Sequence, residues 1–129
     1  MSVALIFVTH EGIASSLLKI GEAIIQKPNH NMSYLEVPMD TAVDKMLNDI
    51  EDKIDQLDLD DGILFITDIY GSTPGNIAQQ SATNHKANLI SGVNLPMVIR
   101  LLNYRDESEQ NLLHKALDSA RQGIQHYSS

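Results

Sequence analysis

Apolar positions along this chain alternate between two periods, one suited to buried strands and one to helices. Val3-Ala-Leu-Ile-Phe-Val8 is an unbroken apolar run that stops at Thr9-His10, with Glu11-Gly12 following. Such a run, bounded by a glycine, predicts a strand buried on both faces, as in parallel sheets. Ile13, Leu17, Leu18, Ile24 and Ile25 then recur at helical spacing around Lys19 and Glu22. They predict a helix from Ile13 to Gln26 that stops before Pro28-Asn29. Met32 to Val37 is shorter and less apolar, which suits an edge strand. Pro38-Met39-Asp40-Thr41 opens a second helix, striped by Val43, Met46, Leu47, Ile50, Ile54 and Leu57. Its other face carries Asp44, Asp49, Glu51, Asp52 and Asp55, and acidic residues continue at Asp58, Asp60 and Asp61. A solvated face is the default reading, with docking of a basic partner as the alternative.

Gly62 leads into a third strand, Ile63 to Thr67, again wholly apolar until its last residue. In the following loop Thr73 reads as an N-cap with Pro74 in the first turn of a helix running toward Thr83. Ala87 to Val93 is a fourth strand, and Pro96 suits the start of a helix from Met97 to Asn103. Tyr104 to Ser108 breaks the pattern before Leu112, Leu113, Ala116, Leu117 and Ala120 form a last amphipathic helix. Gly123 to Tyr127 reads as a brief final strand.

Strand and helix alternate four times, which predicts an α/β fold of βαβ units. The expectation is a single doubly wound domain over residues 1–129, with a mainly parallel sheet of order 2-1-3-4 and helices on both faces. In that order the chain reverses direction between strands 1 and 3, and the ligand crevice lies at their carboxyl ends. Those ends carry His10 and Asp68, so topology alone is expected to bring the two together.

Composition narrows the chemistry. A length of 129 residues suits one domain with a proper core, and 43% apolar with 20% charged residues is a soluble globular composition. Cysteine is absent, which excludes disulfides, thiolate metal sites and cysteine nucleophiles and fits a reducing, cytoplasmic setting. No apolar run approaches the roughly 18 residues needed to cross a bilayer, and no leader peptide is evident at the N-terminus. A net charge of −8 argues against a nucleic-acid partner, because phosphate backbones demand lysine and arginine. No three ligands converge in the sequence as a metal site would require.

If Asp68 accepts a hydrogen bond from one ring N–H of His10, it fixes the tautomer and leaves the other nitrogen a free nucleophile or base. The same carboxylate would stabilise the cation formed when that nitrogen is phosphorylated. Gly71, Ser72 and Thr73 add backbone N–H groups and two hydroxyls at a helix start, a natural anion site. The loop has no lysine and no Walker spacing, so a nucleotide is not its expected ligand. A phosphoryl group there would be held mainly by dipoles, which suits transient transfer. His30, His85, His114 and His126 have no evident partner and read as surface residues.

Three segments together resemble a known family. They are the strand ending Val8-Thr9-His10, the stretch Leu64-Phe-Ile-Thr-Asp68-Ile-Tyr-Gly71-Ser-Thr-Pro74-Gly-Asn76, and Ile90-Ser-Gly92-Val-Asn94-Leu-Pro96-Met97. Their order and separation resemble the mannose-type IIA component of the bacterial phosphoenolpyruvate-dependent sugar phosphotransferase system, over nearly the whole chain. The resemblance implies that His10 accepts a phosphoryl group from the phosphocarrier protein HPr and passes it to a separate IIB component. It implies that Asp68 orients the histidine, and that Gly71, Ser72 and Thr73 lie in a phosphate loop. It also implies a homodimer exchanging a C-terminal strand, contact with the membrane only through IIC and IID components, and no cofactor. The chain departs from the family pattern at Glu11, where glycine often follows the histidine, and at Gly71-Ser72, where a Gly-Gly pair is common. The chain ends at Ser129 without a linker or IIB domain, hence the expectation of a separate acceptor. Alternatives are a regulatory module switched by His10 phosphorylation and the phosphotransfer subunit of a dihydroxyacetone kinase. A hydrolase is disfavoured because no serine nucleophile elbow is present.

Overall fold

In the computed structural model, which describes residues 2–129, four parallel strands form one sheet in the order β2-β1-β3-β4. The strands are β1 (Ala4–His10), β2 (Met32–Val37), β3 (Ile63–Thr67) and β4 (Asn88–Ile90). Helices α1 (Ile13–Ile25), α2 (Val43–Ile54), α3 (Thr73–Asn84), α4 (Leu95–Asn103) and α5 (Glu109–Gln122) connect and cover them. The expected architecture is therefore the observed one.

Alternation along β1 divides the core in two. Leu5 and Phe7, with Leu64 and Ile66 of β3, face Leu18, Val98, Leu101 and Leu112 of α1, α4 and α5. Ala4, Ile6 and Val8, with Phe65, face Met46, Ile50, Ile77 and Ala78 of α2 and α3. β1 is central and buried up to His10 because every residue from Ala4 to Val8 has a helix layer to enter. Each large side chain so buried contributes about 1.5–3 kcal/mol, which fixes the register of β1 more firmly than any polar contact. Glu36 and Thr9 are register partners across β2 and β1.

Some boundaries differ from expectation. α2 starts at Val43, not within Pro38–Thr41, and no side chain caps it. α3 is capped by Ser72, not Thr73, for a reason that emerges at the site. β4 is confined to Asn88–Ile90, because Gly92 turns the chain at φ 81°. Beyond that turn the Gly92 and Val93 amides bond the Asp68 and Thr67 carbonyls outside the ladder. Residues 123–127 form no strand: α5 runs to Gln122, and the following residues lie exposed with no ladder partner in the single chain.

Two side chains read as solvated are engaged. His85 Nε2 lies 2.8 Å from Glu51 Oε1, and Ser81 Oγ donates to Glu51 Oε2 at 2.7 Å. Glu51 therefore ties α2 to α3 from the acidic face, and His85 is a partnered residue.

Candidate functional site

β1 and β3 are neighbours and end together, so His10 and Asp68 meet at the carboxyl edge of the sheet. Asp68 Oδ2 accepts from the His10 backbone N–H at 3.0 Å and lies 2.8 Å from His10 Nδ1. Asp68 Oδ1 accepts from the Ile69 N–H at 2.9 Å. A carboxylate accepts only, so the ring proton resides on Nδ1 and Nε2 is left with its lone pair. Burial pushes the Asp68 carboxyl up, but the bonds from the His10 backbone, the His10 ring and Ile69 outweigh it. The net effect is an acid held below its ordinary range. The Asp68 side chain is 11% exposed and that of His10 31%. The orienting group is thus shielded while the reactive ring reaches solvent.

Each strand end is braced. Thr67 Oγ1 donates to the Val8 carbonyl at 2.6 Å, tying β3 to β1 one step before the pair. Buried Thr9 Oγ1 donates to the His10 carbonyl at 2.8 Å and accepts from the Ala14 N–H at 3.0 Å. The turn between His10 and α1 runs through Gly12 at φ 86°, a conformation that L side chains rarely adopt.

Gly71, Ser72 and Thr73 lie at the same edge, in the turn from Asp68 into α3, and none of them hydrogen-bonds His10. Ser72 Oγ donates to the Ile69 carbonyl at 2.7 Å and accepts from the Gly75 N–H at 3.2 Å. That turn is tight: a Cβ on Gly75 would lie 2.6 Å from the Ile69 carbonyl oxygen. The turn fixes Ser72 as the cap and leaves the exposed Thr73 as the first residue of α3. The Thr73 N–H has no intrahelical partner by position, and Pro74 carries no N–H at all. Of the two hydroxyls, that of Ser72 is committed to the turn.

Sequence reading missed Thr9 and Glu36. Glu36, at the carboxyl end of β2, accepts from the Ser15 N–H at 2.9 Å and from Ser15 Oγ at 2.7 Å. Only the β1–β2 register, which places Glu36 beside Thr9, could have pointed to it. Among the described residues no three His, Cys, Asp or Glu side chains converge as a metal set, and no helix is long and apolar enough to cross a membrane.

The sequence model of the family described as "PTS system fructose IIA component" matches residues 4–117. The chain belongs to this mannose-type EIIA family. It is 27% identical over 127 residues to the PTS system mannose-specific EIIAB component of Escherichia coli K12, covering 96% of this chain and 39% of that protein. The chain thus spans about two-fifths of the length of that relative. The mannose/sorbose specific IIA subunit from Enterococcus faecalis superposes with a TM-score of 0.86 at 16% identity, covering 100% of this chain and 97% of that one. A phosphotransferase system component EIIA from Streptococcus agalactiae superposes with a TM-score of 0.82 at 21% identity, covering 96% of each chain. These two share the fold. The EIIA chain is accordingly a sugar phosphotransferase-system component, and the matches do not favour the dihydroxyacetone kinase alternative.

Proposed function

We propose that His10 carries a phosphoryl group, taken from phospho-HPr and passed to a IIB component. The observation that carries this reading is the 2.8 Å contact between His10 Nδ1 and Asp68 Oδ2, at the strand ends where the sheet order reverses. The Nε2 lone pair attacks the phosphorus of the donor's phosphohistidine. The new N–P bond forms as the donor's N–P bond breaks, and the donor imidazole leaves with its electron pair. Positive charge that grows on the His10 ring is met by Asp68, already ionised and preorganised. In the second transfer His10 becomes the leaving group in the same geometry.

The Gly71–Thr73 turn is assigned to the phosphoryl oxygens, with the Thr73 N–H and hydroxyl as donors at the positive end of α3. Holding by dipoles without a lysine or arginine leaves the group transferable. The crevice rim supports a protein donor: Ile13, Met39, Ile69 and Tyr70, which follow β1, β2 and β3, are all exposed large apolar side chains. Residues 124–127, exposed in the single chain, are assigned to a strand exchanged within a homodimer, and the link to the membrane runs through IIC and IID components.

Incubation with phosphoenolpyruvate, enzyme I and HPr should add one acid-labile phosphoryl group per chain, absent in His10→Ala. No labelling of the wild-type chain would overturn the reading. Sedimentation of the full chain against a chain ending at Gln122 tests the dimer, which should be lost in the shorter form.

A further inference from the structure

α1 begins one turn after His10 without a capping side chain of its own, because Gly12 occupies the N-cap position. Two of its first-turn donors are satisfied from elsewhere. Ala14 N–H bonds Thr9 Oγ1, while Ser15 N–H and Ser15 Oγ both donate to Glu36 Oε2, on a different strand. Burial pushes the Glu36 carboxyl up, and the hydrogen bonds it accepts, led by those from Ser15, more than reverse this, so it stays ionised. A carboxylate at a helix N-terminus is also favoured by the helix dipole.

His10 therefore rides on a short turn held at both ends. Upstream it is paired in β1, and downstream the turn is anchored to β2 through Glu36. Its own backbone N–H must stay aligned with the same Asp68 oxygen that its ring uses, so a shift in the turn misaligns both bonds together. We propose that Glu36 is a positioning residue for His10: its carboxylate fixes the first turn of α1 and so keeps the imidazole in the tautomer that leaves Nε2 free. Glu36 contacts neither ring nor phosphoryl group, and its effect on transfer rests on the carrier role proposed above.

The test compares wild type, Glu36→Ala and Glu36→Gln by two readouts. The first is the His10 ring tautomer, from proton–nitrogen correlation spectra assigned with His10→Gln. Wild type should show the Nδ1–H form, Glu36→Ala a mixture with the Nε2–H form, and Glu36→Gln, whose amide oxygen accepts both Ser15 bonds, recovery toward wild type. The second is phosphoryl transfer from phospho-HPr. Glu36→Ala should lower kcat on the order of tenfold to a hundredfold, as a misplaced reacting group does, and leave KM unchanged. A wild-type tautomer and kcat in Glu36→Ala would overturn the proposal, as would Glu36→Gln no better than Glu36→Ala. If Glu36→Ala does not fold, Ser15→Ala, which removes one of the two donors, should shift tautomer and kcat the same way by less. Wild-type values in that variant would overturn the proposal too. The tautomer comparison needs no phosphoryl donor, so failure of the carrier reading and failure of the Glu36 assignment are separable.

Discussion

Replacing Asp68 by asparagine changes one atom and poses a problem the site cannot solve. The carboxylate accepts two bonds on Oδ2, from the His10 backbone and ring, and two on Oδ1, from the Ile69 N–H at 2.9 Å and the Thr67 hydroxyl at 3.4 Å. An asparagine has a single acceptor oxygen and a two-proton donor. With its oxygen in the Oδ2 place both His10 bonds survive, but the amide group opposes the Ile69 N–H. With its oxygen in the Oδ1 place the Ile69 bond survives, but the amide group meets the His10 N–H and forces Nδ1 to accept. The ring proton then moves to Nε2, and the nucleophile is gone. Either way one donor loses its partner, at a cost of about 1–3 kcal/mol when it is the part-buried His10 N–H and less at the exposed Ile69 N–H, which water reaches. The fold should survive, since the core layers are untouched. Phosphorylation should fall by about 10²–10⁴-fold, the range for losing an aligned proton partner or selecting the wrong tautomer. Radiolabelled phosphoenolpyruvate with enzyme I and HPr measures the rate, and urea unfolding of the same sample measures the stability loss. Wild-type transfer in a folded Asp68→Asn protein would refute the orienting role.

Three other outcomes follow from contacts elsewhere. Asp68 has a folded pKa below its ordinary 3.8, so between those values the unfolded chain binds more protons and stability rises with pH. Its contribution should be complete above the ordinary value and be lost as acid carries pH through the folded one; urea midpoints should fall on acidification, and less steeply in Asp68→Asn. Arg105, 7% exposed, donates to the Val3, His30 and Asn31 carbonyls at the amino ends of β1 and β2. Arg105→Ala removes the donor from the Val3 and His30 carbonyls, while Asn31 keeps its bond from the Leu5 N–H, and should cost about 2–4 kcal/mol in urea unfolding, with the His10 ring signals unmoved because they arise at the opposite edge. Gly75→Ala drives a Cβ to 2.6 Å from the Ile69 carbonyl, so the turn behind Asp68 must shift; stability should drop by about 1–3 kcal/mol and phosphorylation should slow with it.

The order of elements and the pairing of His10 with Asp68 were legible because β1 and β3 are unbroken apolar runs that each end in a polar step. Runs of that kind belong only at the centre of a parallel sheet, and the centre is where the order reverses. The helix cap was misread by one residue for a local reason. Ser72 and Thr73 both precede Pro74, and proline is tolerated at either of the first two helical positions, so composition cannot choose. The close approach of Gly75 to the Ile69 carbonyl makes the choice, and that distance exists only in three dimensions. Glu36 was hidden because a glutamate at an alternating position of an edge strand reads as a solvated residue. Arg105 was hidden in a stretch that reads as a polar break, and nothing local shows that its guanidinium enters the sheet's amino edge. In both cases the partner lies on another element, and only the packed register supplies it.

The molecule also contains an internal control for the site. His85 sits against Glu51 at 2.8 Å, the same separation as His10 from Asp68, and their side chains are 22% and 31% exposed. A histidine–carboxylate pair is therefore not enough to define a carrier. The difference lies in what surrounds each pair, and α3 supplies both halves of the contrast. Asp68 leads into the amino end of α3, where the Thr73 N–H and the positive end of the helix dipole favour an incoming anion. His85 is the C-cap of the same helix, where carbonyls and the negative end repel one. Glu51 is also shared with Ser81, and His85 uses its backbone N–H to close the helix on the Ser81 and Ala82 carbonyls, so no backbone bond aligns this ring with its carboxylate. Phosphopeptide mapping after saturating transfer should accordingly place all label on His10 and none on His85, and His85→Gln should phosphorylate at the wild-type rate. Label on His85 would mean that the carboxylate alone creates the nucleophile and that the placement of α3 is incidental.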